Sequence, residues 1–264
     1  LHLSIRRQRQ MCIRDRNRTV RRAFQVLKYV AKEDDGLTLT EITELLDCPK
    51  SSAFNIIQTL LNLDLLSESK ANNKKYQLGP ENYVLGMNYY KRLDLVDLFK
   101  EFLPGIGDKL HRNCFGGILE GDKVLYIYKY AGEGAKLATC DKGTKAELYC
   151  TGLGKVLLAY SSSDYQKKVI DNMTFIKKTE RTISTKEQLY KELEEVRKKG
   201  YACDNREIED HMICFAAPVF NFSGECVAAV SISDMYTEST DCEFLGQQIR
   251  NVALEISKRI GYNR

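Results

Sequence analysis

The chain has 264 residues, 43% of them hydrophobic, and a formal net charge of +4, which is enough apolar material for one large or two ordinary domains. No run approaches the roughly 18 apolar residues of a membrane span, and no apolar core follows the N-terminal arginines as a secretory leader requires. Nine cysteines without a CxxC pair exclude a zinc ribbon or a disulfide framework and point to free thiols in a reducing cytoplasm.

The positive charge is unevenly placed. Residues 1–22 hold eight Arg and one Asp, whereas residues 23–76 hold six Lys and eight Asp or Glu. Residues 1–19 read as a basic tail, either an arm that follows a groove or non-native sequence, and are set aside from the fold. Val20 to Val30 then has a helical rhythm that Asp34-Asp35-Gly36 ends.

Thr38 with Glu41 is a capping box, and Ile42, Leu45 and Leu46 follow on one helical face. Asp47-Cys48-Pro49 breaks the pattern, and Pro49 suits the start of a new helix because it has no amide to leave unpaired. In that second helix Ala53, Ile56, Ile57, Leu60 and Leu61 make an apolar face, while Ser51, Asn55, Gln58 and Asn62 line the opposite side. An ordinary solvated helix looks the same. What favours a DNA-reading helix is the company it keeps: Leu65–Glu68 and Lys74–Leu78 form a predicted hairpin around a loop carrying Lys70, Lys74 and Lys75. A helix-turn-helix with a lysine wing suits the major groove and the phosphate backbone of double-stranded DNA. The candidate DNA contacts are Lys50, Ser51, Ser52, Asn55, Gln58, Lys70, Lys74 and Lys75.

Beyond the wing, residues 80–93 predict a linker helix, and Leu95 to Arg112 a second one that Pro104-Gly105 kinks or breaks. From Phe115 the period shifts to that of strands, expected at Phe115–Leu119, Lys123–Tyr130, Ala135–Cys140, Tyr201–Asp204, Met212–Phe220 and Cys226–Ser233. Helices are expected over Gly152–Tyr160, Ser163–Asn172 and Thr185–Lys199, and around Leu245 to Ile260. Antiparallel strands with segregated helices make residues 94–264 an α+β unit, behind a winged helix-turn-helix at residues 20–79.

In this second unit Gly152-Leu153-Gly154 opens a helix whose free amides suit an anion. Ser231 and Ser233, two apart on a strand, present both hydroxyls to one face. A zinc or nucleophile reading of His211-x-x-Cys214 is weak, because that spacing on a strand points the two side chains oppositely, so neither a metal site nor a catalytic residue is expected.

These motifs together resemble the IclR family of bacterial transcription regulators over about residues 20–262. Leu46-Asp-Cys-Pro-Lys-Ser-Ser52 is similar to its recognition-helix start and Tyr76-Gln-Leu-Gly79 to its wing exit. Cys150-Thr-Gly-Leu-Gly-Lys-Val-Leu-Leu-Ala159 resembles its effector-domain helix, and Gly200–Glu207 with Cys214–Val219 resembles its strand pair. The resemblance implies a GAF-like C-terminal domain and assembly as a homodimer or dimer of dimers. It also implies a small-molecule effector, an organic acid, held by Ala135, Ala138, Gly152, Leu153, Asp204, Cys214, Ser231 and Ser233, with no cofactor. The chain departs from the family where Asn55 replaces a usual Arg and His211 a usual Gly. Two other readings stay open: a sensor whose output is a protein partner, and a thiol redox sensor.

Overall fold

The computed structural model describes residues 17–69, 74–90, 94–135 and 140–263. The chain divides into two compact units, residues 1–92 and 93–264.

The first unit holds α1 (Arg18–Val30), α2 (Leu39–Leu46), α3 (Lys50–Asn62) and α4 (Glu81–Tyr90). The Asn17 side chain caps α1 by accepting from the Thr19 and Val20 amides. Both arms of the Thr38–Glu41 capping box form: Thr38 N donates to Glu41 Oε2 at 2.7 Å, and Glu41 N to Thr38 Oγ1 at 3.3 Å. Helix α2 ends at Asp47 in the left-handed region (φ 46), a conformation that Asp tolerates. Extended Pro49 then launches α3. Val26, Ile42, Ala53 and Ile57 close the core completely between the three helices. A three-stranded antiparallel sheet follows in the order β1 (Leu37–Thr38), β3 (Lys75–Leu78), β2 (Leu66–Glu68). Strand β1 is not legible in the sequence, because two residues carry no period and their partners, Tyr76 and Lys75, are remote in the chain.

The second unit is built on a six-stranded antiparallel sheet in the order β6-β5-β4-β9-β8-β7. Its strands are β4 (Asn113–Glu120), β5 (Lys123–Ala131), β6 (Lys145–Glu147), β7 (Ala202–Asn205), β8 (Met212–Phe220) and β9 (Cys226–Met235). Successive residues face opposite ways, except that a bulge in β5 between Tyr126 and Tyr128 puts those two on opposite faces. Cys114, Tyr128, Phe215 and Ile232 pack beneath α5 (Leu95–Leu110) and α9 (Cys242–Arg259). Phe115, Tyr126, Ala216 and Ala229 lie on the other face, with α6 (Gly152–Ala159) and α8 (Lys186–Lys199); α7 (Ser163–Asp171) completes the unit. The expected break at Pro104 does not occur. Helix α5 runs through it, since Phe99, Leu103 and Ile106 on both sides are buried against the sheet and packing outweighs the one lost hydrogen bond. The expected strand at Ala135–Cys140 falls mostly outside the described residues, and neither Ala135 nor Cys140 lies in a strand. Strand β6 takes the place beside β5.

Candidate functional site

In the first unit, helix α3 turns Ala53, Ile56, Ile57 and Leu60 inward. Lys50, Ser51, Asn55 and Asn62 are exposed and Gln58 half-exposed, so the polar stripe stands in solvent. Ser52 is half-buried and, with Asn55 and Thr59, borders a groove of about 560 Å³ between α3 and α1, walled by Phe24 and Leu63. Of the wing lysines, Lys74 is exposed and Lys75 half-buried on β3, where its charge helps to hold the Glu41 carboxylate low, after the hydrogen bonds from Thr38. Lys70 lies outside the described residues.

In the second unit, strand register aligns two adjacent rows. Asp204 pairs with Cys214 and Cys214 with Ser233; Ala202 pairs with Ala216, Ala216 with Ser231 and Ser231 with Phe115. Both rows lie under the start of α6. A Cβ on Gly152 would stand 3.2 Å from Ala216 Cβ and 3.4 Å from Cys214 Sγ, so glycine lets the helix end settle on the sheet, and one on Gly154 would collide with Leu148 Cα at 2.6 Å in the segment leading into the helix. Thr151 caps that end through Gly154 N at 3.0 Å. The result is a small cavity of about 60 Å³ walled by Phe115, Tyr126, Thr151, Gly152, Asp204, Met212, Cys214, Ser231 and Ser233, with Ile208 and Glu209 at its edge. Phe115 and Tyr126 meet edge to face at 5.7 Å.

The cavity's polar groups are under strain. Ser231 Oγ is buried and makes no hydrogen bond of normal geometry among the described residues, although the neighbouring Cys214 thiol is lowered by its hydroxyl. Asp204, also buried, accepts a hydrogen bond from Glu207 N at 2.8 Å, and the Ile208 amide also favours its charged form. Burial pushes its carboxyl up to about 7, the amide of Glu207 pulls it down, and the Glu207 carboxylate pushes it up again. Behind it, the fully buried Lys155 ammonium donates to Glu207 Oε1 and Cys203 O at 2.5 Å and to Glu192 Oε1 at 2.9 Å. Burial alone would lower Lys155, but Glu207 and Glu192 overcome it and hold the ammonium above its usual value. Cys214 is pushed up by burial and then by Asp204, and burial pushes Cys114, Cys150, Cys203 and Cys226 up to about 12. Thiols of that kind are protonated at neutral pH and are poor nucleophiles. Among the described residues no cluster of His, Cys, Asp and Glu could hold a metal, and no helix is long and apolar enough to cross a membrane.

The IclR helix-turn-helix model matches residues 19–69, and the bacterial transcriptional regulator IclR C-terminal model matches residues 87–258. The chain belongs to the IclR family. It is 28% identical to the HTH-type transcriptional regulator XynR of Escherichia coli, over 92% of this chain and 97% of that protein. It is also 28% identical to the regulator KdgR of Escherichia coli, over 93% of each. The Agobacterium tumefaciens repressor BlcR superposes with a TM-score of 0.84 at 28% identity, covering 95% of this chain and 100% of that one. These relatives are transcriptional regulators, not enzymes, and the fold is that of IclR-family structures.

Within that family fold, the strand rows bring Gly152, Asp204, Cys214, Ser231 and Ser233 to one cavity. Leu153 does not reach it: the side chain turns into the core beside Gly117, because every residue of α6 is buried and only Gly152 faces the rows. Ala135 sits in the turn after β5, where its amide bonds to Gly132 O, and it is not among the cavity's walls. Ala138 lies outside the described residues. His211 is exposed, 3.3 Å from Glu209, so its departure from the family leaves the wall to Met212. Phe115, Tyr126 and Met212 are cavity residues that the sequence does not single out. Strand alternation places Phe115 and Met212 on a face, but the β5 bulge decides that of Tyr126, and only the pairing of β4 with β9 puts Phe115 beside Ser231.

Proposed function

We propose that this chain is a one-component, cytoplasmic regulator that reads a double-stranded DNA operator with α3 and binds a small organic acid in the cavity of its C-terminal unit. The observation that carries the effector reading is the buried Ser231 hydroxyl, which has no partner of normal hydrogen-bonding geometry and only the weakly bonding Cys214 thiol beside it, in a cavity that Asp204, Ser233 and the start of α6 also face. A thiol is a weak hydrogen-bonding partner for a buried hydroxyl, and a ligand oxygen would satisfy it better. The Gly152 end of α6 favours the negative end of such a ligand. About 60 Å³ is the room of roughly two waters, which suits an acid of a few heavy atoms. A thermal-shift screen of small carboxylates tests this. A hit that survives Asp204→Ala unchanged would place the effector elsewhere.

The exposed stripe on α3 supports the DNA reading, since Asn and Gln pair bidentately with adenine. Retardation of the DNA upstream of the chain's own gene should be sensitive to salt. Asn55→Ala is expected to weaken binding roughly 5- to 150-fold and to relax the preference at one position. Lys50→Ala should weaken all sequences alike and reduce the salt slope by about 1. Binding that is absent at low salt would favour a protein partner as the output.

Assembly as a homo-oligomer rests on α4. Tyr83 is 72% exposed, Leu85 56% and Val84 46%, more apolar surface than a solvated helix ordinarily leaves open, and a second copy of the same helix would cover it. Leu85→Asp is expected to shift the chain to monomer in light scattering. An unchanged mass would remove α4 from the interface.

A further inference from the structure

Helix α3 carries one exposed side chain that neither the core nor the polar stripe explains. Phe54 is 45% exposed, although Ala53, Ile56, Ile57 and Leu60 beside it are buried and close the core without it. Its ring is also absent from the groove between α3 and α1, whose α3 wall is Ser52, Asn55, Ile56, Thr59, Leu60 and Leu63. At about 100° per residue, Phe54 stands on the other flank of the stripe, one turn after Lys50 and one turn before Gln58. It therefore lies in line with groups suited to phosphate and base edges, and next in sequence to Asn55. The residue falls in the N-terminal half of the helix, which is the part of a recognition helix that meets bases.

The floor of the major groove has one apolar feature, the C5-methyl group of thymine, and an apolar side chain is its natural contact. We infer that Phe54 is a base-reading residue whose ring packs on a thymine methyl beside the base that Asn55 reads. The assignment rests on the DNA reading above. It makes α3 a mixed reader, one amide for hydrogen-bonding edges and one ring for a methyl. It also explains why so large an apolar group stands among Lys50, Ser51 and Gln58.

A single-atom change in the DNA tests it. Duplexes are first selected from a random library with the full-length chain, and each thymine of the selected site is then replaced in turn by deoxyuridine. That substitution removes the methyl and leaves every hydrogen-bonding group in place. The wild-type chain is expected to lose about fourfold in affinity at one thymine of each half-site, the scale of one buried methyl group. Phe54→Ala should bind thymine and uracil duplexes equally at that position, and selection with it should lose the thymine preference there. Phe54→Leu, which keeps an apolar contact, should retain part of it, and the circular dichroism melt of each variant checks that α3 still folds. A flat uracil scan on an enriched site, or an unchanged thymine preference in Phe54→Ala, would overturn the assignment, leave DNA binding intact and give the ring to a protein partner. Failure of the wild-type chain to enrich any duplex would instead remove the DNA reading, and this assignment with it.

Discussion

Asp204→Asn is expected to stabilise the C-terminal unit at pH 8 by about 2 kcal/mol and to remove the pH dependence of effector affinity. The Asp204 carboxyl stands at about 7 in the fold against an ordinary value of 3.8, chiefly because it is buried. A folded value above the unfolded one means that the native chain binds more protons between those limits, so stability falls as pH rises through them. The favourable contribution is complete below about pH 4 and is lost by the time pH has passed about 7. Three units amount to roughly 4 kcal/mol. The expected gain is smaller, because the Asn amide brings two donors into the same cavity while its oxygen keeps the bond from Glu207 N. Urea unfolding at a series of pH values should show wild type and variant converging towards pH 4 and separating up to about pH 7. Parallel curves would mean that Asp204 is ionised in the fold at low pH.

The same carboxyl sets the terms for an anionic effector. A carboxylate in the cavity would lie beside Asp204, with Lys155 already engaged by Glu207 and Glu192. Two carboxylates in one enclosed site do not both stay charged; one holds a proton and donates it to the other. Binding of the proposed effector would therefore be accompanied by proton uptake at Asp204 above about pH 7, and affinity should fall about tenfold per pH unit there. In Asp204→Asn the Asn side chain donates at every pH, so that slope should vanish, whatever the absolute affinity.

How far the sequence reaches can be seen from single positions. Thr38 and Glu41 identify a helix start from local chemistry alone, and both hydrogen bonds form. Ser231 and Ser233 share a face because strand periodicity requires it. Position 153 is different. Leu153 follows Gly152 in an apolar helix with no polar face to orient it, so local pattern cannot say that glycine meets the cavity while leucine fills the core. Phe54 falls three before Ile57 and seven before Leu61, so in sequence it reads as the edge of the apolar face, and only its exposure in the fold singles it out. The cavity wall is beyond local reading for a further reason. Phe115 and Tyr126 reach it through the pairing of β4 with β9 and of β4 with β5, and contacts between remote segments leave no mark in a period.

Lys155 was the least legible residue of all, and its replacement carries the largest expected loss of stability. In sequence it is one cation in an apolar helix; in the fold it is fully buried and ties α6 to Glu192 on α8 and to Glu207 beyond β7. Lys155→Met keeps the length and the apolar packing but leaves two carboxylates without their cation. Glu207 has no margin for that, since its Oε2 is already buried without a partner and burial already raises its carboxyl. Removing one member of a buried ion pair is destabilising by about 3–5 kcal/mol, whereas removing both is often nearly neutral. Lys155→Met alone should therefore unfold at clearly lower urea. Lys155→Met with Glu207→Gln should recover much of the loss, and a double-mutant cycle on unfolding free energies gives the coupling directly. The single variant also bears on the cavity, because the Lys155 charge holds Asp204 down. Without it Asp204 should keep its proton to higher pH, and the pH at which effector affinity begins to fall should move upward. A stable Lys155→Met chain with an unmoved pH profile would show that the buried cluster neither braces the fold nor sets the charge of the site.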